Sequence, residues 1–181
     1  EIAGTNNKIP AKSIDLDGQN TFDMKEGSLA ISGPFTMDDP SASATFFARG
    51  GDFDVQAFTI LGDKEINFDG ADADIAGDID MSGAGKSTFK ASAGDIDMDN
   101  FIMGSEHIAN FSGAETTIKT KLSMREKGQM NISGGKVSVP DIDLEGEAVI
   151  NVTNGNVAAD DDVVMKGQAV MNFSAGGFIA N

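Results

Sequence analysis

One short pattern recurs along this chain: an apolar residue, Asn, a second apolar residue, then Ser, Thr or Asp, with Gly close behind. It occurs five times, centred on Asn67, Asn110, Asn131, Asn151 and Asn172. Three weaker copies are centred on Ala30, Phe47 and Lys90, so successive centres are 17 to 23 residues apart. Repetition at an interval of about 20 residues is the sequence signature of a repeat protein. One such unit is too small to bury its own apolar side, so the units must stack on one another.

Within each unit, apolar and polar residues alternate, which is typical of a half-buried β-strand. One alternating stretch carries Asn, and another carries Asp, as in the Ile-Asp-Met triplets at 79–81 and 96–98. Glycines such as Gly83 and Gly104 lie between these stretches and predict turns. Successive side chains of a strand face opposite ways, so the apolar residues should line a core while Asp and Asn face outward. No window of helical length has a clear helical apolar period, so we expect an all-β protein with little or no helix.

Two all-β architectures fit these units. In a parallel β-solenoid each unit forms one coil, and equivalent strands of successive coils stack about 4.8 Å apart. In an antiparallel meander, barrel or sandwich, each Asn strand would pair with the acidic strands beside it instead. The near-constant repeat length favours the solenoid, because stacked coils need similar lengths whereas hairpins do not. We therefore predict a parallel β-solenoid (β-helix) of about eight coils of ~20 residues, with the antiparallel arrangements as the alternative.

The predicted solenoid forms one domain. We assign residues 1–13 to an N-terminal extension and residues 14–181 to the repeat domain, which is less regular over 14–94 and most regular over 95–181. In this arrangement the repeated Asn residues would form a ladder, like on like. Phe68, Phe111 and Phe173 stand at equivalent positions of their units, which predicts that they stack as a ladder in the core.

The charge of the chain excludes several classes of partner. It contains 29 Asp and Glu against 13 Lys and Arg, which gives a net charge of −16 over 181 residues. An acidic surface of this kind repels phosphate backbones and anionic lipids, so we expect no nucleic-acid binding. No apolar run approaches the roughly 20 residues that span a bilayer, so we expect no membrane insertion. Cys is absent, which excludes disulfides and thiolate metal sites.

Two acidic stretches resemble calcium-binding loops, in which oxygen ligands alternate along the chain. In the first stretch Gly83 stands at the position of the sharp turn, but Phe89 occupies the twelfth position, where Glu is expected. In the second stretch Glu106 occupies the twelfth position, but Asn100 replaces the Gly. The alternative interpretation is an acidic outer strand face, whose stacked carboxylates repel one another. The residues of the predicted Ca²⁺ site are Asp78, Asp80, Asp95, Asp97, Asp99 and Glu106. We expect no other cofactor.

Four copies of the repeat satisfy the acceptor rule for N-linked glycosylation, Asn followed at the second position by Ser or Thr. The candidate sites are Asn110, Asn131, Asn151 and Asn172. In an exported chain they would place sugars on one face of the solenoid. The alternative is that an Asn ladder followed by Ser at each turn creates these triplets without any modification.

Catalysis has little support in the sequence. His107 is the only histidine, no nucleophile motif lies near it, and we expect it at the surface or in a turn. Two carboxylates about 5 to 10 Å apart could hydrolyse a glycosidic bond, but the periodic Asp residues single out no pair. A sugar cleft would also be expected to use Trp or Tyr, and the chain contains neither. We therefore expect no enzymatic activity.

The glycine- and aspartate-containing units resemble those of a known class of surface protein. Residues 77–83 (Gly-Asp-Ile-Asp-Met-Ser-Gly) and 93–98 (Ala-Gly-Asp-Ile-Asp-Met) are similar to repeats of filamentous-haemagglutinin and autotransporter-type β-helices. The resemblance covers residues 52–181, and the composition is also similar to that of β-helical shafts in phage tail fibres and head decorations. It implies a right-handed parallel β-helix on a cell or virion surface, acting as a rigid stalk or adhesive rod.

The end of the sequence adds an expectation about assembly. Residues 177–181 remain apolar and show no polar capping pattern, which suggests further chain, self-association or docking onto a partner. We expect a non-enzymatic structural repeat protein: an extracellular, cell-surface or virion fibre, sheath, surface layer or decoration, forming a homo-oligomer or a larger assembly. The alternative is a carbohydrate- or receptor-binding adhesin module with a surface glycan as ligand. The third candidate is a polysaccharide-acting β-helix enzyme.

Overall fold

The chain forms a parallel β-solenoid of about eight coils, in which each coil contributes strands to three long faces. This computed structural model describes residues 8–180. The described residues form strands, turns and irregular segments but no helix, which confirms the prediction of an all-β protein. None of them, accordingly, forms a helix able to span a membrane. Successive coils pair in parallel throughout this range, so the solenoid prediction is confirmed and the antiparallel alternative is wrong.

The strands are short, and most contain three or four residues. In chain order they are β1 (Lys8–Ala11), β2 (Ile14–Asp15), β3 (Thr21–Met24), β4 (Ser28–Ile31), β5 (Pro34–Met37), β6 (Thr45–Ala48), β7 (Asp52–Val55), β8 (Ala57–Ile60), β9 (Glu65–Asp69), β10 (Asp72–Ile75), β11 (Ile79–Met81), β12 (Thr88–Ala93), β13 (Asp95–Met103), β14 (Ile108–Phe111), β15 (Glu115–Met124), β16 (Gln129–Ile132), β17 (Lys136–Val139), β18 (Asp141–Leu144), β19 (Val149–Val152), β20 (Asn156–Ala159), β21 (Val163–Met165), β22 (Val170–Phe173) and β23 (Gly177–Ala180).

Three faces result from the stacking. The Asn face is the outer surface of the eight-stranded sheet β3-β6-β9-β12-β14-β16-β19-β22. The acidic face comprises β1, β4, β7, β10, the first halves of β13 and β15, then β17, β20 and β23. The third face comprises β2, β5, β8, β11, the second halves of β13 and β15, then β18 and β21. The long strands β13 and β15 turn the corner between the acidic and third faces, which joins them into one sheet.

The register confirms like-on-like stacking but changes the assignment of the first coil. The prediction that Ala30 is equivalent to the repeated Asn residues is wrong, because β4 lies on the acidic face, where Ala30 pairs with Asp54. The first coil instead contributes Asp23, which pairs with Phe47. Strand β1 lies within the range 1–13 that we assigned to an N-terminal extension, and its pairing with β4 makes it the first strand of the solenoid.

As far as Phe111, the core contains Phe rings that pack in a zigzag, and beyond it aliphatic side chains take their place. Phe68 and Phe111 occupy one inward column, but the coil between them places Ala91 there, so their direct stacking is a wrong prediction. Phe89 lies in the neighbouring column of that intermediate coil and contacts both rings, with centroids 5.5 Å and 5.7 Å away. Phe173 follows in the same column at the last coil, where it is exposed. In β12 and β14 a ring thus stands beside an Ala, Phe89 beside Ala91 and Phe111 beside Ala109, which lets the rings of successive coils interdigitate.

Glycine at the corners lets successive coils approach closely. At Gly134 a Cβ atom would lie 2.2 Å from the carbonyl oxygen of Ser112 in the preceding coil, well inside any real contact distance. Only a residue without a side chain fits there, which explains why Gly follows the Asn-bearing strand so closely.

Candidate functional site

The outward side chains of the Asn face form columns, because the strands of this sheet stack in register. The central column takes one residue from each coil and contains Asp23, Phe47, Asn67, Lys90, Asn110, Asn131, Asn151 and Asn172. Five of the eight positions hold Asn. The first two coils and the fourth depart from this rule, and the departures alter the chemistry of the face.

Four consecutive amides of the central column form a hydrogen-bonded ladder. The Nδ2 atoms of Asn131, Asn151 and Asn172 each donate to the Oδ1 atom of the Asn in the preceding coil, at 2.9 Å. The ladder therefore starts at Asn110 and runs in one direction. Gln129 donates a further hydrogen bond to Oδ1 of Asn131 at 2.8 Å. Stacked amides of this kind stabilise parallel in-register strands.

The four predicted glycosylation sites are the four members of this ladder. Asn110, Asn131 and Asn151 are half-buried, whereas Asn172 is exposed. In the last three, the Nδ2 atom to which an N-linked sugar would be attached already donates a hydrogen bond. Neighbouring members lie one strand spacing apart, about 4.8 Å, so sugars on adjacent coils would be crowded. Glycosylation at these positions stays a prediction.

The Asn face has a depression where the ladder stops. Lys90 pairs in register with Asn67 and Asn110, but its Nζ atom turns aside to Oε1 of Glu65, 2.6 Å away. No amide therefore continues the ladder at this coil, and a depression of about 380 Å³ opens across four coils. Its lining includes Phe47, Arg49, Asn67, Ser92, Asn110 and Ser112.

Two basic groups border this depression, and each is held in place. The Arg49 guanidinium carbon lies 4.3 Å from the centre of the Phe47 ring, and its Nε atom donates to Oδ1 of Asp23 at 3.0 Å. The hydrogen bond from Lys90 holds the pKa of the Glu65 carboxyl below its usual range. The side chains of Arg49 and Lys90 are still 44% and 48% exposed, so both remain accessible to a ligand.

One amide donor without a hydrogen bond of normal geometry also belongs to the lining of the depression. The Nδ2 atom of Asn67 is buried and makes no hydrogen bond of normal geometry, although it lies near enough to Glu65 to help lower that carboxyl's pKa. Sequence reasoning missed Phe47, Arg49 and Lys90 as functional candidates. The available signal was that Phe47 and Lys90 stand in positions where the repeat otherwise places Asn.

Two of the predicted calcium ligands, Asp95 and Asp97, lie on the acidic face. Asp97 pairs in register with Asp74, and the backbone N–H of Asp95 donates to Oδ1 of Asp72 at 3.1 Å. Two more carboxylates lie one coil before those of Asp72 and Asp74. The six carboxylates together border one shallow depression: Asp52, Asp54, Asp72, Asp74, Asp95 and Asp97. Lys119 reaches this set, with its Nζ 3.4 Å from Asp74.

The other four predicted calcium ligands lie elsewhere. Asp78 and Asp80 are on the third face, and each carboxylate already accepts a hydrogen bond from its surroundings. Asp99 lies where β13 turns between two faces. Glu106 lies in the turn before β14, where Lys86, with its Nζ 2.6 Å away, lowers the pKa of its carboxyl. The fold thus does not bring the six residues into one group, and calcium binding by them stays a prediction.

A different acidic cluster lies near the first coils. Oxygen atoms of Asp15, Asp17 and Asp38 come within 4.8 Å of one another, and all three side chains are exposed. The charge of Asp15 is the main cause that raises the pKa of Asp17. This crowding of like charges opposes folding at neutral pH.

His107 is completely buried at the corner between the third face and the Asn face, at the end of a turn closed by its own N–H on the carbonyl oxygen of Gly104. The prediction of a turn is therefore confirmed, whereas that of a surface position is wrong. Its Nδ1 atom accepts a hydrogen bond from the backbone N–H of Ser87 at 2.8 Å. The ring proton therefore resides on Nε2, which lies 2.7 Å from the carbonyl oxygen of Gly83. His107 satisfies backbone groups of the preceding coil, a structural role that needs no substrate.

The last coil leaves part of the apolar layer exposed. Seven large apolar side chains are 36 to 48% exposed: Val163, Val164, Met165, Val170, Phe173, Phe178 and Ile179. For the inward-facing members of this set the counterparts one coil earlier are covered; Val152 below Phe173 and Val157 below Phe178 are both buried. In the described chain, β21, β22 and β23 also have a partner strand on one side only. This end of the solenoid thus presents apolar side chains together with unpaired backbone edges.

Comparison of the chain with known proteins found no matching family profile, no matching curated protein and no matching solved structure.

Proposed function

We propose that this chain is a non-enzymatic structural repeat protein, a rigid element of an extracellular, cell-surface or virion assembly that joins copies of itself through the end of its solenoid. The observation that carries the proposal is the last described coil, whose apolar side chains and strand edges have no partner among residues 8–180. Exposed apolar patches of this kind mark interaction surfaces.

Rigidity follows from how the coils are joined. Backbone pairing is continuous along every face, and the Phe zigzag and the Asn ladder link successive coils inside and outside. Each coil contacts mainly its neighbours, so strength along the axis comes from many similar interfaces. The groups that the register brings together are repeated amides and carboxylates rather than a single reacting centre.

The occupant that best fits the last described coil is a further β-coil, and a second copy of this chain supplies one. Whatever covers it must bury apolar side chains and also pair with the free edges of three strands. A β-coil does both, and this chain is built from such coils. Unpaired edges readily accept another strand. Contact between two last coils would give a closed dimer, whereas contact between the last coil of one copy and the first coil of the next would give a filament.

The test is the mass and shape of the purified protein across a range of concentrations, measured by light scattering and electron microscopy, with and without millimolar calcium. We expect a dimer or filaments that grow with concentration. A double variant, Met165→Lys with Phe178→Lys, should return the protein to a monomer. The control is Ile102→Lys, which adds one positive charge, half that of the double variant, at a half-exposed outward position of the third face.

Circular dichroism of the variants separates loss of assembly from loss of folding, since the seven earlier coils should keep their β signal. A protein that is monomeric at every concentration contradicts the proposal. So does a multimer that persists in the last-coil variant, because its interface must then lie on another surface.

A further inference from the structure

The depression on the Asn face combines features that the structural role does not require. It lies where the ladder is interrupted, and hydrogen-bond donors converge on it from four coils. We propose that this depression is a binding site for a carboxylate-bearing sugar, such as a uronic acid unit of an acidic polysaccharide.

The direction of the ladder leaves a donor at its start. Each Nδ2 donates toward the preceding coil, so the Nδ2 of Asn110 would need an acceptor on Lys90. An ammonium group has donors only, and no described residue accepts from this Nδ2. The Nδ2 of Asn67, on the other side of Lys90, is buried beside the Glu65 carboxylate and makes no hydrogen bond of normal geometry. The amide N–H of Asn110 is therefore the one that an oxygen atom of a ligand can reach without rearrangement.

The two basic groups add charged donors. Arg49 uses Nε to reach Asp23, which leaves the two terminal nitrogens of its planar fork, the geometry that suits a carboxylate. Its position over the Phe47 ring holds the guanidinium in place before any ligand arrives. Lys90 makes one ion pair, with Glu65, and an ammonium group can donate two further hydrogen bonds.

The remaining lining favours a sugar over a simple anion. Ser92 and Ser112 offer hydroxyl groups, and the Asp69 carboxylate, which accepts from Ser92 at 2.5 Å, can accept from sugar hydroxyls. A volume of about 380 Å³ is more than one carboxylate needs and lies within the range of small-molecule sites. The net charge of −16 opposes long polyanions of any kind, so a short sugar acid is a better ligand than a long chain. Its carboxylate suits Arg49 and Lys90, and its hydroxyl groups suit the remaining lining.

The experiment is a calorimetric titration of the folded protein with a short oligogalacturonate. The comparison ligands are a neutral galacto-oligosaccharide of the same length and citrate at matched ionic strength. The decisive variant is Lys90→Asn, which removes the charge and supplies the missing amide of the ladder. The matched control is Lys121→Asn on the third face, where a similarly exposed Lys is paired with Asp143.

We expect the oligogalacturonate to bind, added salt to weaken binding, and both comparison ligands to bind at least tenfold more weakly. Lys90→Asn should reduce affinity by about tenfold or more, since a charge-assisted hydrogen bond is lost, while Lys121→Asn should leave it unchanged. Arg49→Gln should give a comparable loss.

Three results would overturn the proposal. These are no heat of binding at millimolar ligand, equal binding of citrate or the neutral sugar, or unchanged affinity in Lys90→Asn. The outcome is independent of self-assembly, because the depression lies far from the last coil along the sheet and can be titrated in the monomeric last-coil variant.

Discussion

Replacing Asn131 with Ala should lower the free energy of unfolding by about 2 kcal/mol, because this residue is the centre of the amide ladder. Its side chain donates to Asn110 and accepts from Asn151 and Gln129. A hydrogen bond contributes about 1 kcal/mol net to stability, which would give about 3 kcal/mol for three bonds. The side chain is half-buried, so water partly replaces the lost partners and the expected loss falls to about 2 kcal/mol.

Urea unfolding monitored by circular dichroism measures this loss, and Asn172→Ala is the matched control. Asn172 makes one ladder bond and should cost about 1 kcal/mol or less. The double variant Asn131→Ala with Asn151→Ala should show a coupling of about 1 kcal/mol, because both single changes remove the same bond. If Asn131→Ala costs no more than Asn172→Ala, or if the coupling is near zero, the ladder does not stabilise the solenoid.

Corner packing and the acidic cluster lead to two more tests by urea unfolding. Gly134→Ala should lower the free energy of unfolding by about 3 kcal/mol, because the added Cβ atom would overlap with the Ser112 carbonyl. Gly18→Ala is the comparison, since φ is +80° there but the space is open, and it should lower the free energy of unfolding by about 1 kcal/mol. Equal losses would contradict the steric argument. The charge of Asp15 is the main cause that raises the pKa of Asp17, so the folded state holds the Asp17 proton more tightly than the unfolded chain does. The contribution of Asp17 to the free energy of unfolding is therefore full below its ordinary pKa of 3.8, and it is lost as the pH rises through the raised pKa. Asp17→Asn should therefore raise the urea midpoint at pH 7 and leave it unchanged at pH 3, and an equal shift at both values would show that charge is not the cause.

The repeat period was enough to predict the solenoid, since equal coil lengths are a physical requirement of stacking. It could not identify the first coil, because apolar alternation is the same on all three faces. The early coils also vary in length: between β5 and β6 the chain makes a longer excursion. Lys64, only 3% exposed, holds that excursion by donating from Nζ to the carbonyl oxygens of Asp39 and Ala42. No sequence pattern predicts that a Lys side chain will be buried and will donate to backbone carbonyl oxygens in this way.

The corner of His107 shows a second limit of sequence reasoning. Its partners are backbone atoms of Ser87 and Gly83, 20 and 24 residues earlier in the chain. They become neighbours only once the coil register is known, and register is set by the sum of many weak alternations. Composition and local motifs therefore favoured a surface position, whereas stacking placed the imidazole inside, where it satisfies polar groups of the preceding coil.

Lys90 shows how a weak copy of a repeat can carry the chemistry. Its unit matches the repeat imperfectly, because Lys stands at the position of the central Asn. In the central column, an Asn at this position could form hydrogen bonds with the Asn side chains of the coils on both sides. Its own ion pair with Glu65 is largely exposed, and exposed pairs contribute about 0 to 1 kcal/mol, less than the two amide bonds that Asn could make. Stability alone thus favours Asn at this position. A local choice that runs against the global pattern is typical of functional sites, and here the choice of Lys opens the depression and adds a positive charge to it.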